Sequence, residues 1–185
     1  MEQNQIRKNM WNGAAKAGLA LAGLSSVYLF ATQFIGTTEI PAILNMLLTT
    51  VLWIVKFGGC IWLMMFFMKK FADECSGVDN AATRRFGIIA AFLSAVVYAG
   101  VSFANVAFIS TDLFAEQMDA VIQQMAPMMD SNTMAEMDKT MQNLPQLTFF
   151  SNLIYCFIYG AILSAILSRN IPSRDPFADY KPEDQ

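Results

Sequence analysis

The chain contains four long runs of apolar residues, and these runs constrain its fold more than any other feature of its 185 residues. A helix needs about 20 mostly apolar residues to cross the ~30 Å hydrocarbon core of a bilayer. Because backbone amides and carbonyls find no partner in lipid, we expect each run to be helical. The sequence therefore predicts an all-α integral membrane bundle of four transmembrane helices, with spans at residues 12–35, 42–68, 86–110 and 146–168.

The composition agrees with a membrane protein and argues against several other classes. Apolar residues make up 55% of the chain and charged residues 15%, whereas soluble domains carry about 25% charged residues. The net charge of -3 argues against nucleic-acid binding, which needs a basic surface. The chain has no histidine, which excludes a Ser–His or Cys–His dyad within it. Its cysteines, Cys60, Cys75 and Cys156, have neither zinc nor redox spacing.

Lysine and arginine are sorted between the two sides of the four spans. All of them except Lys56 and Lys139 lie ahead of or near the start of the first span, follow the last, or lie between the second and third. Because cytoplasmic loops are enriched in these residues, we expect both termini in the cytoplasm and residues 111–145 outside. We expect a single transmembrane domain over residues 1–170, and a disordered cytoplasmic tail over the proline-containing residues 171–185.

Residues 111–145 have the pattern of an amphipathic helical hairpin. Apolar residues recur there at spacings of three and four, which places them on one face of a helix. We expect the hairpin to lie flat on the outer membrane surface or to cap the bundle. The predicted apolar face consists of Phe114, Met118, Ile122, Met125 and Met129.

The methionines of this hairpin allow two interpretations. Clustered thioethers bind Cu(I), and methionine also packs adaptably on mobile apolar faces. The helical spacing is explained by packing alone, so we predict neither a metal nor a cofactor. The seven methionines are Met118, Met125, Met128, Met129, Met134, Met137 and Met141.

Lys56 is the one cation deep inside a predicted span, since Lys16 lies near the start of the first span. At ~1.5 Å per residue it lies about 20 Å from either end of the second span, close to the midplane of the bilayer. A cation there costs at least about 2.5–3.5 kcal/mol on insertion scales, and no Asp or Glu lies inside any predicted span. Lys56 must therefore reach the interface, lose its proton, or meet polar neighbours or water.

Polar residues on the other spans offer such neighbours. Counted along the helices, Tyr98 and Tyr159 come to the depth of Lys56, and the remaining polar residues lie toward the outer side. We predict a polar vestibule that opens outward and holds water or a small anionic group, with Lys56 at its floor. Alternatively, these side chains only make interhelical hydrogen bonds, worth about 0.6 kcal/mol each. The predicted vestibule residues are Lys56, Tyr98, Asn105, Asn152, Tyr155 and Tyr159.

Small residues recur at every fourth position in the first, third and fourth spans. Such stripes let helices approach closely in lipid, and they serve either the bundle itself or a homodimer. The stripes are Ala14, Gly18, Ala22 and Ser26; Gly87, Ala91, Ala95 and Ala99; and Gly160, Ser164 and Ser168.

Four segments together resemble one protein family. They read WNGAAKAGLALAGL, KKFADECSGVDNAATRRFGIIAAFLSAVVYAGVSFANVAFI, DLFAEQMDAVIQQMAPMMD and NLIYCFIYGAILSAILSRN. In order and hydropathy they resemble the domain of unknown function 4199 family of bacterial membrane proteins, found chiefly in Bacteroidota. The resemblance implies four spans and a location in the bacterial inner membrane. It implies no activity, cofactor or catalytic residue.

The sequence lacks the motifs of common enzymes. It contains no P-loop, no GxSxG, no HExxH and no Rossmann glycine pattern, so we expect no enzymatic activity. The favoured interpretation is a non-enzymatic scaffold or partner subunit of a cell-envelope assembly, in contact with lipid and with a second copy or another membrane protein. The alternative is a small oligomeric transporter or channel subunit that uses the vestibule around Lys56.

Overall fold

The computed structural model of the chain describes residues 2–38, 40–75, 79–125 and 131–171. The predicted tail beyond residue 171 lies outside the described residues. Six helices are formed, and α3 continues directly into one turn of π-helix, Asn105–Ile109. The helices are α1 (Glu2–Gly36), α2 (Ala42–Glu74), α3 (Asn80–Ala104), α4 (Thr111–Met125), α5 (Ser131–Gln142) and α6 (Leu144–Arg169).

Four of these helices are long and apolar enough to cross a membrane, namely α1, α2, α3 with its π turn, and α6. The prediction of an all-α, four-helix membrane bundle is confirmed. The bundle has two different ends. The basic end, where α1 and α3 begin and α2 and α6 end, carries every described lysine and arginine except Lys56 and Lys139. The opposite end carries α4 and α5 and is called the hairpin end.

Three helices extend beyond their predicted spans at the basic end. α1 begins at Glu2, α2 ends at Glu74 and α3 begins at Asn80, whereas the apolar runs stop several residues short of each point. Hydropathy marks where a chain leaves lipid, and a helix continues past that point when its next turns find a packing partner. Asp79 supplies a further cause, since its side chain accepts a hydrogen bond from the Ala82 amide at 2.7 Å and caps α3.

The best-packed core lies at this basic end. Met68 is 0% exposed and Phe86 1% exposed, and the rings of Phe71 and Phe86 stack with centroids 4.6 Å apart. Ile171, the first residue of the predicted tail, is also buried in this core. The extra turns of helix therefore carry much of the apolar contact that holds the four helices together.

The small-residue stripes lie between the helices of the bundle, with α3 at its centre. A Cβ added at Gly18 on α1 would meet the Ala90 carbonyl oxygen of α3 at 3.0 Å, and one added at Gly160 on α6 would meet Ala91 Cβ at 2.5 Å. The buried Ser164 hydroxyl donates to the Arg84 carbonyl at 2.9 Å and links α6 to α3. Of the two uses predicted for the stripes, the structure shows packing within the bundle.

The hairpin end is looser, chiefly because α2 has few neighbours there. α2 packs mainly against α1 and touches α6 at few places, whereas α3 packs extensively against both α1 and α6. Near the start of α2, Ile43 is 87% exposed and Met46 is 75% exposed. Apolar side chains that are exposed to this extent are suited to contact with lipid. One side of the bundle, between α2 and α6, is therefore left incompletely closed.

Candidate functional site: a cationic cleft and a polar cavity

A small cleft surrounds Lys56 in the middle of the bundle. It encloses about 60 Å³, is called the Lys56 cleft, and is lined from all four spanning helices. Among the residues of the predicted vestibule, the structure places Lys56, Tyr98, Tyr155 and Tyr159 here. Sequence reasoning found these residues because their depth follows from counting along each helix.

The Lys56 ammonium lies against aromatic rings. Its Nζ is 4.6 Å from the centroid of Tyr28, 5.4 Å from that of Tyr98 and 5.6 Å from that of Phe57. The negative face of an aromatic ring attracts a cation, by about 0.5–2 kcal/mol depending on desolvation. Within the described part of the chain, Lys56 has no ion pair; the ion pair seen there joins Lys70 to Glu74 at 3.7 Å. The Lys56 ammonium is thus stabilised by aromatic rings in the middle of the bundle and has no counter-ion in the described chain.

The side of the cleft between α2 and α6 is formed by stacked and edge-on rings. Phe57 contacts Tyr159 edge-on, with centroids 5.3 Å apart, and Trp53 lies 4.5 Å from Phe57 along α2. Tyr155 stands beside Tyr159 on α6 and is 58% exposed. Because α2 and α6 make few other contacts, the cleft opens sideways through these rings.

Two cysteines also line the cleft, and sequence reasoning did not assign them to it. Cys60 on α2 and Cys156 on α6 are both free thiols that border the cleft. Cys60 Sγ lies 4.0 Å from the hydroxyl of Ser25. Their positions along the helices could have assigned them to the cleft, since Cys60 is one helical turn from Lys56 and Cys156 is adjacent to Tyr155.

A larger cavity lies at the hairpin end and holds the other two predicted vestibule residues. It has a volume of about 330 Å³ and includes Asn105 and Asn152 in its wall. The predicted single vestibule is therefore divided into this hairpin-end cavity and the Lys56 cleft. One turn of α3 separates them, with Tyr98 on the cleft and Ser102 on the cavity.

Side chains in the hairpin-end cavity form a hydrogen-bonded chain. Gln33 Nε2 donates to the Ser110 hydroxyl, and that hydroxyl donates to Asn105 Oδ1 at 3.1 Å. Asn105 begins the π-helical turn, a distortion that often marks functional positions. Sequence analysis missed Gln33, an amide in the last turn of an apolar span, and it missed the π turn, which leaves no trace in the hydropathy pattern.

The predicted apolar face of α4 is divided between the bundle and the exterior. Phe114 lines the hairpin-end cavity, and Met118 lines a smaller cavity of about 130 Å³ together with Met141. Ile122 is half-buried and Met125 is 44% exposed, while Met129 lies outside the described residues. The first half of α4 therefore caps the bundle, and its second half extends away from the packed helices.

The ionisable groups offer no metal site in the described ranges. No three His, Cys, Asp or Glu side chains come together there. Two methionines of the alternative Cu(I) cluster, Met128 and Met129, lie outside the described residues, as does the side chain of Met134. At the basic end, burial raises the pKa of the Cys75 thiol and the Glu74 carboxylate raises it further, while a hydrogen bond with Asn9 lowers it.

Among the comparisons with known proteins, the match to a protein-family model identifies a family. A family model described as "Protein of unknown function (DUF4199)" matches residues 16–169, which include most of the first span, the other three spans and the hairpin. No curated protein matches the chain, and no solved structure does.

Proposed function

The chain belongs to the DUF4199 family, a family of proteins of unknown function, and from the geometry of the Lys56 cleft we propose that it is a non-enzymatic partner subunit of a membrane assembly. The partner is a different membrane protein. One of its transmembrane helices carries an Asp or Glu near the bilayer midplane, and this side chain occupies the Lys56 cleft. The observation that carries this proposal is the ammonium of Lys56, which has aromatic rings around it and no counter-ion in the described chain.

Charge complementarity supports a partner of this chemistry. Lys56 is half-buried. A cation at membrane depth without a counter-ion keeps most of its desolvation cost, and a carboxylate at contact distance offsets it. The cleft of about 60 Å³ equals about two water molecules at ~30 Å³ each, which is room for one carboxylate group. The gap between α2 and α6, bordered by the exposed Tyr155, gives such a side chain a lateral route.

A second copy of this chain does not supply the missing charge. The spanning helices contain no Asp or Glu except Glu2 in the first turn of α1 and Asp73 and Glu74 in the last turn of α2, all at the basic end. A homodimer across the same gap would also bring two Lys56 cations toward each other. The proposal therefore specifies a heteromeric assembly of the cell envelope rather than a homo-oligomer.

We place this assembly in the bacterial inner membrane with both termini in the cytoplasm. The support is the concentration of lysine and arginine at the basic end, which matches the enrichment of these residues in cytoplasmic loops. In this orientation α4 and α5 face the outside, where α4 extends beyond the bundle.

Co-purification from native membranes in mild detergent tests the partner role. A partner should be retained by the wild type and by Lys56→Arg, which keeps the charge, and lost from Lys56→Met. Lys69→Met removes an exposed cation from the same helix and should retain the partner. A photo-crosslinker at Tyr155 should join the partner through a spanning segment that contains an acid. Equal recovery with Lys56→Met, or crosslinking to a helix without an acid, would overturn the proposal.

A second candidate is a small transporter or channel subunit. The observation in its favour is that the hairpin-end cavity and the Lys56 cleft follow one another along α3, separated by the turn from Tyr98 to Ser102. Reconstitution of the purified chain in liposomes separates the two candidates. Solute flux that Lys56→Met abolishes, in the absence of any partner, supports transport and contradicts the partner role.

A further inference from the structure

We infer that the hairpin-end cavity is a binding site for an uncharged small molecule of about monosaccharide size that carries several hydroxyl or amide groups. The inference rests on the walls of this cavity alone. It does not depend on a partner at Lys56, and either proposal stands if the other fails.

The wall is mostly apolar by area, is studded with polar side chains and carries no ionisable group. Four amide side chains and four hydroxyl side chains face the cavity, with apolar residues between them. Each amide both donates and accepts, and each hydroxyl does the same, which matches a ligand whose own groups are donors and acceptors together. The polar wall residues are Thr32, Gln33, Thr37, Ser102, Asn105, Gln117, Thr148 and Asn152.

One buried hydroxyl beside the cavity is poorly satisfied. Ser102 is 1% exposed, and its Oγ makes no hydrogen bond of ordinary geometry among the described residues, with the Tyr98 side chain close enough for a weak one. A buried hydroxyl without a partner costs about 1–3 kcal/mol. Ser102 borders the cavity, and a polar ligand group that reached its Oγ would supply a full hydrogen bond.

Two of the wall amides, Gln33 and Asn105, are held in place before any ligand arrives. The chain from Gln33 through Ser110 to Asn105 uses Gln33 Nε2 and Asn105 Oδ1. No contact among the described residues uses Gln33 Oε1 or Asn105 Nδ2, so one acceptor and one donor remain at fixed positions. Fixed polar groups reduce the entropy lost on binding, which favours a specific ligand over bulk water.

Size and charge narrow the class of ligand. The volume of about 330 Å³ lies at the low end of small-molecule sites, which span about 300–1,000 Å³. A charged ligand would be desolvated without a counter-ion in this wall, at a cost that a neutral ligand avoids. Phe114 of α4 supplies an aromatic surface, which suits the apolar face of a sugar ring.

A thiol reporter at the mouth of the cavity tests the inference. Gly36 lines the cavity, and a Cβ added there has no heavy atom within 4 Å, so Gly36→Cys leaves the packing unchanged. In the full chain with Cys60, Cys75 and Cys156 replaced by Ala, N-ethylmaleimide labels this cysteine. The probes are glycerol, glucose and N-acetylglucosamine, with Lys139→Cys as an exposed control at the same end.

At least one probe should slow labelling of Gly36→Cys and leave Lys139→Cys unchanged. At a probe concentration of twice Kd the expected slowing is about threefold, because the unoccupied fraction of sites is one divided by the sum of one and the ratio of concentration to Kd. Adding Asn152→Leu should abolish the protection. Should none of the probes protect, or should the Asn152→Leu variant be protected equally, the cavity holds only water and the inference is wrong.

A measurement on the wild-type chain covers the case in which the cysteine-free protein fails to fold. In nanodiscs, saturation-transfer NMR with the same three probes should give a signal that Asn152→Leu removes. The absence of any signal from the wild type would overturn the inference in the same way.

Discussion

The ammonium nitrogen of Lys56 lies 4.6 Å from the centroid of the Tyr28 ring, in the middle of a bundle whose described residues offer it no carboxylate. The ring attraction is worth about 0.5–2 kcal/mol, whereas a cation at the bilayer midplane costs about 2.5–3.5 kcal/mol or more. The attraction therefore offsets only part of the cost. Lys56 therefore destabilises the isolated chain, and binding of an acidic partner helix gives a reason for a lysine at this position.

The isolated chain should consequently become more stable when this charge is removed. Lys56→Met nearly keeps the length of the side chain and eliminates the uncompensated cation, so we expect the free energy of unfolding to rise by about 0.5–3 kcal/mol, the difference between the two terms. Thermal unfolding of the purified chain in detergent measures this. Lys69→Met, exposed at the basic end, is the control and should change stability little. A loss of stability with Lys56→Met would mean that the cation is already neutralised within the chain.

The close approach of α1 and α3 predicts opposite outcomes for two glycines on one helix. A Cβ at Gly18 would meet Leu93 Cβ at 2.9 Å and the Ala90 carbonyl oxygen at 3.0 Å, whereas a Cβ at Gly23 meets nothing within 4 Å. Overpacking of this kind costs about 1–3 kcal/mol. Gly18→Ala should therefore lower thermal stability, while Gly23→Ala should leave it unchanged or raise it slightly, because alanine favours helix. Equal effects of the two substitutions would contradict the packing described here.

Two buried serines should also respond differently to replacement by alanine. Ser164 donates to the Arg84 carbonyl at 2.9 Å, so Ser164→Ala removes a made hydrogen bond and should cost about 0.5–1.5 kcal/mol. Ser102 Oγ makes no hydrogen bond of ordinary geometry in the described chain and has only a weak contact with the Tyr98 side chain, so Ser102→Ala removes a poorly satisfied buried group. We expect Ser102→Ala to be neutral or stabilising in ligand-free protein. Chemical unfolding of both variants in the same detergent compares them, and a cost for Ser102→Ala equal to that of Ser164→Ala would reveal a hidden partner.

The number of spans and the depth of Lys56 are predictable from the sequence, because both depend on local quantities. Hydropathy averaged over a span identifies the helices, and residues counted along a helix give depth at ~1.5 Å each. The same counting places Tyr98 beside Lys56. The ends of α2 and α3 are not predictable in this way, because the last turns are held by contacts such as Phe71 with Phe86, which join residues distant in the chain.

The division of the predicted vestibule has a geometric cause that a helical face alone does not reveal. Asn105 shares the face of Tyr98, but it lies seven residues further along, about 10 Å at ~1.5 Å per residue. The Tyr98 ring and the Ser102 turn occupy the space between the two depths. A stripe of polar residues shows which side of a helix faces the bundle. Whether that side borders one cavity or two depends on the side chains of the neighbouring helices.

The environment of Cys75 predicts a pH dependence for its alkylation. Burial raises the pKa of this thiol, and the Glu74 carboxylate adds to the effect by disfavouring the thiolate. In a Cys60→Ala, Cys156→Ala background, the maleimide labelling rate should still climb with pH where that of free N-acetylcysteine has levelled off. Glu74→Gln removes the repulsion and should shift the profile toward lower pH. A profile that matches N-acetylcysteine would contradict the buried environment.

The proposed orientation has its own test, and Cys75 is a poor reporter for it because the side chain is only 5% exposed. Lys139 on α5 and Lys69 on α2 are both exposed and lie at opposite ends of the bundle. In cysteine-free protein on intact cells, a membrane-impermeant maleimide should label Lys139→Cys and leave Lys69→Cys unlabelled until the membrane is permeabilised. The reverse pattern would put the basic end outside, against the bias of lysine and arginine toward the cytoplasm. It would also place the hairpin-end cavity in the cytosol, where the inferred neutral ligand would then have to be sought.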